Sequence, residues 1–198
     1  MRGVKIRLRI RRFLSVLLIS LFLSSCSAGK GDVKELSESL SSITNASYTA
    51  KITAIFPSRE AVFTISHTHT PDGDRASVIA PAEVAGTTYT VSGEEGFLEF
   101  DGAILEIGKL DETGISPFSS IYSLLNIWKN GAFSEITNSV MYEKSAYLAI
   151  AREENDGTEL EYRTWFSKDN HLPLYAEIFS DGNRIITCEF ERAEHNTK

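Results

Sequence analysis

From Tyr48 onward the side chains alternate. Tyr48, Ala50, Ile52, Ala54 and Phe56 fall on one side of an extended chain, with Thr49, Lys51 and Thr53 between them. A period of two marks a strand with one buried face, because successive side chains point to opposite sides of the pleat. Similar runs cover Glu60 to Thr70, Arg75 to Ala80, Thr87 to Ser92, Phe97 to Phe100 and Ala103 to Ile107. They resume over Ile136 to Glu143, Ala146 to Arg152, Thr158 to Ser167, Leu174 to Ser180 and Arg184 to Arg192. Turn formers separate many of them: Pro57-Ser58, Pro71-Asp72-Gly73, Asp101-Gly102, Asn155-Asp156-Gly157, Asp169-Asn170 and Asp181-Gly182. About eleven strands at roughly ten-residue spacing predict an antiparallel sheet or barrel, because parallel pairing needs long crossovers.

Two segments break the alternation. Val33, Leu36, Leu40 and Ile43 recur at spacings of three and four, which predicts an amphipathic helix with Asp32 at its N-cap. In mid-chain, Ser116-Pro117 is a helix opening and Asn130-Gly131 a helix stop. Between them Ile121, Leu124, Leu125 and Trp128 form one apolar stripe, suited to packing on a sheet or to covering a ligand.

The N-terminus reads as a targeting segment. Arg2, Lys5, Arg7, Arg9, Arg11 and Arg12 precede an apolar run from Phe13 to Leu23, too short to span a bilayer but of signal-peptide length. Leu23-Ser24-Ser25-Cys26 then resembles the bacterial lipobox, in which the cysteine thiol becomes a diacylglycerol thioether and the new N-terminus. The expected organisation is a signal peptide over residues 1–25, a lipidated tether over 26–32 and one domain over 33–198. Two or three acyl chains hold a protein on a membrane without a spanning helix.

Residues 1–25 carry six of the twenty basic residues and none of the 27 acidic ones, so the remainder has fourteen bases and a net charge of −13. Such a surface disfavours nucleic acid as a partner. Only two cysteines occur. With Cys26 lipidated, Cys188 has no intrachain partner, and its place between Ile186 and Phe190 on a strand predicts a buried, inert thiol.

Catalytic patterns are missing: no nucleophile elbow, no His-Glu-x-x-His, no phosphate-cradling glycine loop, no Cys-x-x-Cys. No catalytic residue and no cofactor are therefore assigned. His67 and His69 lie two apart on a strand and face the same way, which makes them candidate metal ligands lacking a third. The simpler expectation is that they are partly solvated where the strand leaves the core. Phe63, Phe97, Phe100, Tyr162, Trp165, Phe166 and Tyr175 are spread along successive strands. A flat two-layer packing buries such residues as core, whereas a strongly curved sheet leaves them lining an apolar cavity.

The order of elements resembles the lipoprotein-carrier superfamily typified by LolA and LolB, which includes LppX-like and clostridial GerS-like germination lipoproteins. The likeness is carried by the lipobox, the Ser-Pro-opened helix, the run APAEVAGTTYTVSGEEGFLEFDGAILEIG and the ending EIFSDGNRIITCEFERAEHN. It implies an α+β, mainly antiparallel fold: an open half-barrel of about eleven strands with two or three helices on its concave side. It also implies an extracytoplasmic, non-catalytic protein tethered to the cell membrane at Cys26. An apolar cavity for a lipid or acyl chain is then expected, lined by Phe63, Ile65, Phe100, Leu124, Trp128, Tyr162 and Phe166. Arg59 and Arg75 are candidates, by position, for the arginine that latches the carriers' lid. The germination branch implies another role, a scaffold for an envelope protein such as a cell-wall amidase. The first reading expects an open cavity; the second expects a filled core and exposed apolar side chains.

Overall fold

The computed structural model describes residues 29–92, 95–109, 115–155 and 157–197. The signal segment, the lipobox and Cys26 lie outside the described residues. Helix α1 spans Lys30–Ser41, with Gly29 at its N-cap and Asp32 inside its first turn. The Val33 amide donates to the Gly29 carbonyl, so the helix begins before Asp32, whose carboxylate instead complements the positive end of the helix dipole. Ile43 does not close this helix; it opens the first strand, where its β-branched side chain is buried and its backbone pairs with Thr197.

The strands are β1 (Ile43–Phe56), β2 (Arg59–Thr70), β3 (Gly73–Ala80), β4 (Thr88–Ser92), β5 (Glu95–Phe100) and β6 (Ala103–Lys109). After the second helix, α2 (Ser120–Asn130), come β7 (Phe133–Met141), β8 (Lys144–Asn155), β9 (Thr158–Ser167), β10 (Pro173–Ser180) and β11 (Asn183–Thr197). All join one 11-stranded sheet in the order β6-β5-β4-β3-β2-β1-β11-β10-β9-β8-β7. Every neighbouring pair is antiparallel. The sheet is an open half-barrel with β6 and β7 as its free edges, the α+β architecture expected from the order of elements. Strand β7 starts earlier and stops earlier than the alternation suggested. Tyr142 and Glu143 turn the chain at positive φ, with no glycine or asparagine to announce it.

Because β6 and β7 are opposite edges, the segment between them has to cross the mouth of the half-barrel. Helix α2 is that crossing. The Ser116 hydroxyl accepts a bond from the Ser119 amide at 3.1 Å, the capping geometry that Ser-Pro predicts, although regular helix begins only at Ser120. Gly131 closes it at φ 64, a left-handed conformation that glycine adopts without penalty. The stripe Ile121, Leu124, Leu125 and Trp128 is buried, at no more than 1% exposure. It meets Leu36 and Leu40 of α1 and the inward side chains of the sheet in a single core cluster, among them Tyr48, Ile52, Ile65, Phe166, Ile178 and Cys188.

Replacing Leu124 by Ala removes a fully buried side chain from the centre of this cluster. The expected loss is about 2–5 kcal/mol, read as a lower urea midpoint with unchanged slope.

Candidate functional site

Trp128 is the hub of the concave face. Its ring meets Tyr48 edge-on at 5.9 Å, Phe166 edge-on at 5.2 Å and Phe190 at 5.9 Å. The indole Nε1 donates to Thr164 Oγ1 at 3.0 Å, so the one polar atom of the ring is satisfied inside the core. Ile65, Leu124, Tyr162 and Phe166 lie on the same face, each buried to 3% exposure or less. Phe63 is half-buried and packs at 5.5 Å against Phe118, just ahead of α2. Five of the seven expected lining residues thus share one buried cluster with the helices, with Phe63 packed against it. Phe100 does not join them: it is 45% exposed at the end of β5, beside the turn into the edge strand. Trp165 and Tyr175 point the other way, since Thr164, Phe166 and Ala176 take the inward positions. They pair with each other at 5.5 Å, and Trp165 Nε1 donates to Ser139.

Beside the aromatic hub lies a buried polar chain. His67 is fully buried and His69 nearly so, with side chains 1% and 12% exposed, not the solvated pair expected at a strand end. The β2–β3 register places Asp74 directly across from His69, and its carboxylate reaches both imidazoles. His67 Nε2 lies 2.8 Å from Asp74 Oδ1, and His69 Nδ1 lies 3.1 and 3.0 Å from the two carboxylate oxygens. Lys129, in the last turn of α2, brings its Nζ to 2.7 Å from His69 Nε2. An ammonium only donates, so His69 Nε2 accepts, and its proton sits on Nδ1, facing Asp74. His67 correspondingly donates from Nε2, and its Nδ1 is buried without a hydrogen-bond partner among the described residues.

Burial alone pushes the Asp74 carboxyl upward. The hydrogen bonds and charge of His67 and His69 outweigh it and hold the group below its ordinary range. Tyr48, stacked at 6.4 Å on His67, links this chain to His195, whose Nδ1 is 3.4 Å from the phenolic oxygen. Burial first, and the charge of His171 second, hold His195 toward its neutral form. Burial drives the Cys188 thiol up to about 12, which makes it the inert core thiol its strand position predicted.

The two histidines do share a face, but three of their four ring nitrogens meet a carboxylate or an ammonium. No cluster of three or more His, Cys, Asp or Glu able to hold a metal occurs among the described residues. Neither candidate arginine ties a helix down: Arg59 lies 5.4 Å over the Phe56 ring and Arg75 donates to Thr88. Helix and sheet are instead tied by Lys129 to His69 and by Trp128 to Thr164. Asp74 and Lys129 escaped the sequence reading. The alternation drew attention to apolar positions, and only the hairpin register places Asp74 opposite His69.

A half-barrel closed on its concave side by its own helices is the architecture that the resemblance to LolA and LolB implied. No family model and no curated protein matches the chain. Solved structures do. An uncharacterized conserved protein from Thermus thermophilus superposes with TM-score 0.51 at 10% identity, over 85% of this chain and 88% of that one. The Mycobacterium tuberculosis lipoprotein LppX gives 0.47 at 13% identity, over 86% and 99%. A LolA-superfamily protein from Nitrosomonas europaea gives 0.44 at 9% identity, over 84% and 94%. Identities this low concern the fold alone.

Two of these groups set the acid response. A histidine held neutral in the fold weakens stability as pH falls from its ordinary value of 6.5 toward its lower folded value, because only the unfolded chain gains the proton there. A carboxyl held low adds a second loss as pH falls from 3.8 toward its own folded value. Urea midpoints should therefore be flat above about pH 7, decline below about 6.5 and decline again below about 4. Asp74→Asn should cost about 1.5–3 kcal/mol at neutral pH and shrink the second decline, to which Glu161, held low by Arg163 and Arg152, also contributes.

Proposed function

We propose that the chain is a non-catalytic binding domain of a bacterial cell envelope, tethered to the membrane through lipidated Cys26 after removal of residues 1–25, and that its partner is a protein. The observation that carries this reading is the distribution of apolar side chains. The concave face is occupied by α1 and α2, whereas the β5–β6 hairpin leaves Phe100, Ile104 and Leu105 at 45%, 70% and 60% exposure. Adjacent residues on a strand point to opposite faces, so exposure of both Ile104 and Leu105 leaves β6 bare on both sides. It is also a free sheet edge. An apolar, unpaired edge is a template for an extended segment of another chain, with backbone bonds for affinity and the isoleucine and leucine side chains for specificity.

A second reading keeps its own support. Helix α2 crosses the mouth from one edge of the sheet to the other, and lifting it would bare Tyr48, Trp128 and Phe166. An acyl chain could then take the helix's place, in competition with α2.

Photo-crosslinking on the full-length lipidated chain in membranes of the source bacterium separates the two. A benzoylphenylalanine at position 104 should give one discrete protein adduct, lost on adding Leu105→Lys, while the same probe at the exposed convex-face Ile79 should give none. Native mass spectrometry of residues 27–198 should show the bare polypeptide mass. A co-purifying lipid mass with no adduct at 104 would instead establish the acyl-chain reading.

A further inference from the structure

We infer that His69 and Lys129 form an acid-released catch that holds α2 across the mouth of the half-barrel. This goes beyond the partner reading and does not rest on it. The tie between the helix and β2 is a single hydrogen bond of 2.7 Å from the Lys129 ammonium to His69 Nε2. It exists only while that nitrogen has a lone pair to offer, which means only while His69 is neutral. A second proton on His69 would set an imidazolium N–H against an ammonium N–H, two donors of like charge with no acceptor between them. Lys129 is only half-buried, so its head can swing into water, and with it goes the tie of α2 to β2, leaving the bond from Trp128 Nε1 to Thr164 on the β9 side.

The surroundings select His69 as the group that responds. His67 is 1% exposed, its Nε2 is held by Asp74, and its buried Nδ1 faces no acceptor that a second proton could use. His69 is 12% exposed and its Nδ1 is already bonded to both oxygens of Asp74, so the charged ring keeps a counter-ion on the strand side. The titratable groups around the pair come from every packed element. These are Asp74 on β3, Tyr48 on β1 with His195 of β11 beyond it, Tyr89 on β4 within the field of Asp74, and Tyr122 and Lys129 on α2. The phenols stay neutral throughout the acid range, pushed upward mainly by burial. Asp74 and Lys129 cancel at neutral pH, and one added proton leaves the network with a net positive charge. The α2 end of the chain is where that charge is relieved. Release removes one restraint on the helix that covers Trp128 and Tyr48, so the acidified form is the one in which the concave face opens more readily to an apolar molecule.

Hydrogen exchange resolved to single amides tests this on the intact domain, with no ligand required. Corrected for intrinsic rates, protection of the Leu124–Asn130 amides should fall about tenfold or more between about pH 7.5 and 5.0, while β1 and β11 amides keep theirs. His69→Gln retains an oxygen for Lys129 but cannot gain a proton, so α2 should stay protected at both values. His195→Gln should leave the wild-type response in place, separating the catch from the general acid loss. Should His69→Gln not fold, Lys129→Met decides: α2 should be loose already at the higher pH and no looser at the lower. Equal wild-type protection at both pH values, a response that persists in His69→Gln or Lys129→Met, or one abolished by His195→Gln would each overturn the inference.

Discussion

The two strands that flank α2 in the chain, β6 and β7, are the outermost strands of the same sheet, so the polypeptide must pass over the concave face to connect them. A curved antiparallel sheet with one apolar face is incomplete by itself, since that face has to be removed from water. The crossing segment supplies the cover. It brings Trp128 into the middle of Tyr48, Phe166 and Phe190, which belong to three different strands. The two arms of the sheet are thereby fastened to one side chain as well as to each other along β1 and β11.

The cover is not wholly apolar, and this is its most unusual property. A carboxylate, two imidazoles and an ammonium sit where hydrocarbon would pack with less desolvation penalty. Most of these groups answer another: Asp74 accepts from both histidines and Lys129 donates to His69 Nε2, while His67 Nδ1 is left without a partner among the described residues. Such a chain favours one seating of α2, because sliding the helix by a turn would take the ammonium away from His69 Nε2. It also makes that seating conditional on protonation in a way that leucine packing is not.

Much of this was legible in the sequence. The alternation from Tyr48 marked the strands, their spacing made the sheet antiparallel, and the stripe through Trp128 marked the helix that packs on it. The face of each aromatic was legible only where the strand count was unbroken. Phe166 alternates cleanly with Thr164 and Tyr162 and lies with them on the buried face. Trp165 lies one position off that frame and belongs to the convex side. Phe100 reads as part of an alternating run, but β5 is shifted in register against β6 at Phe97, and the hairpin tip carries the ring away from the helices. The histidines were noticed as a pair, yet their partners come from across a turn and from a helix sixty residues on, a separation that pattern along one strand does not report.

The first strand and the last lie side by side at the middle of the sheet, paired from Ile43 with Thr197 to Ala54 with Ile186. Each flanking arm, β2 to β6 on one side and β7 to β10 on the other, is a run of consecutive hairpins that closes over short loops. The seam between the arms closes over nearly the whole domain, the slowest kind of contact to form. A chain released from its N-terminus outward can therefore shape each arm early, but β1 keeps one unpaired side until β11 is free. The order of assembly is written into the topology: two halves first, then a zipper that only β11 can draw shut.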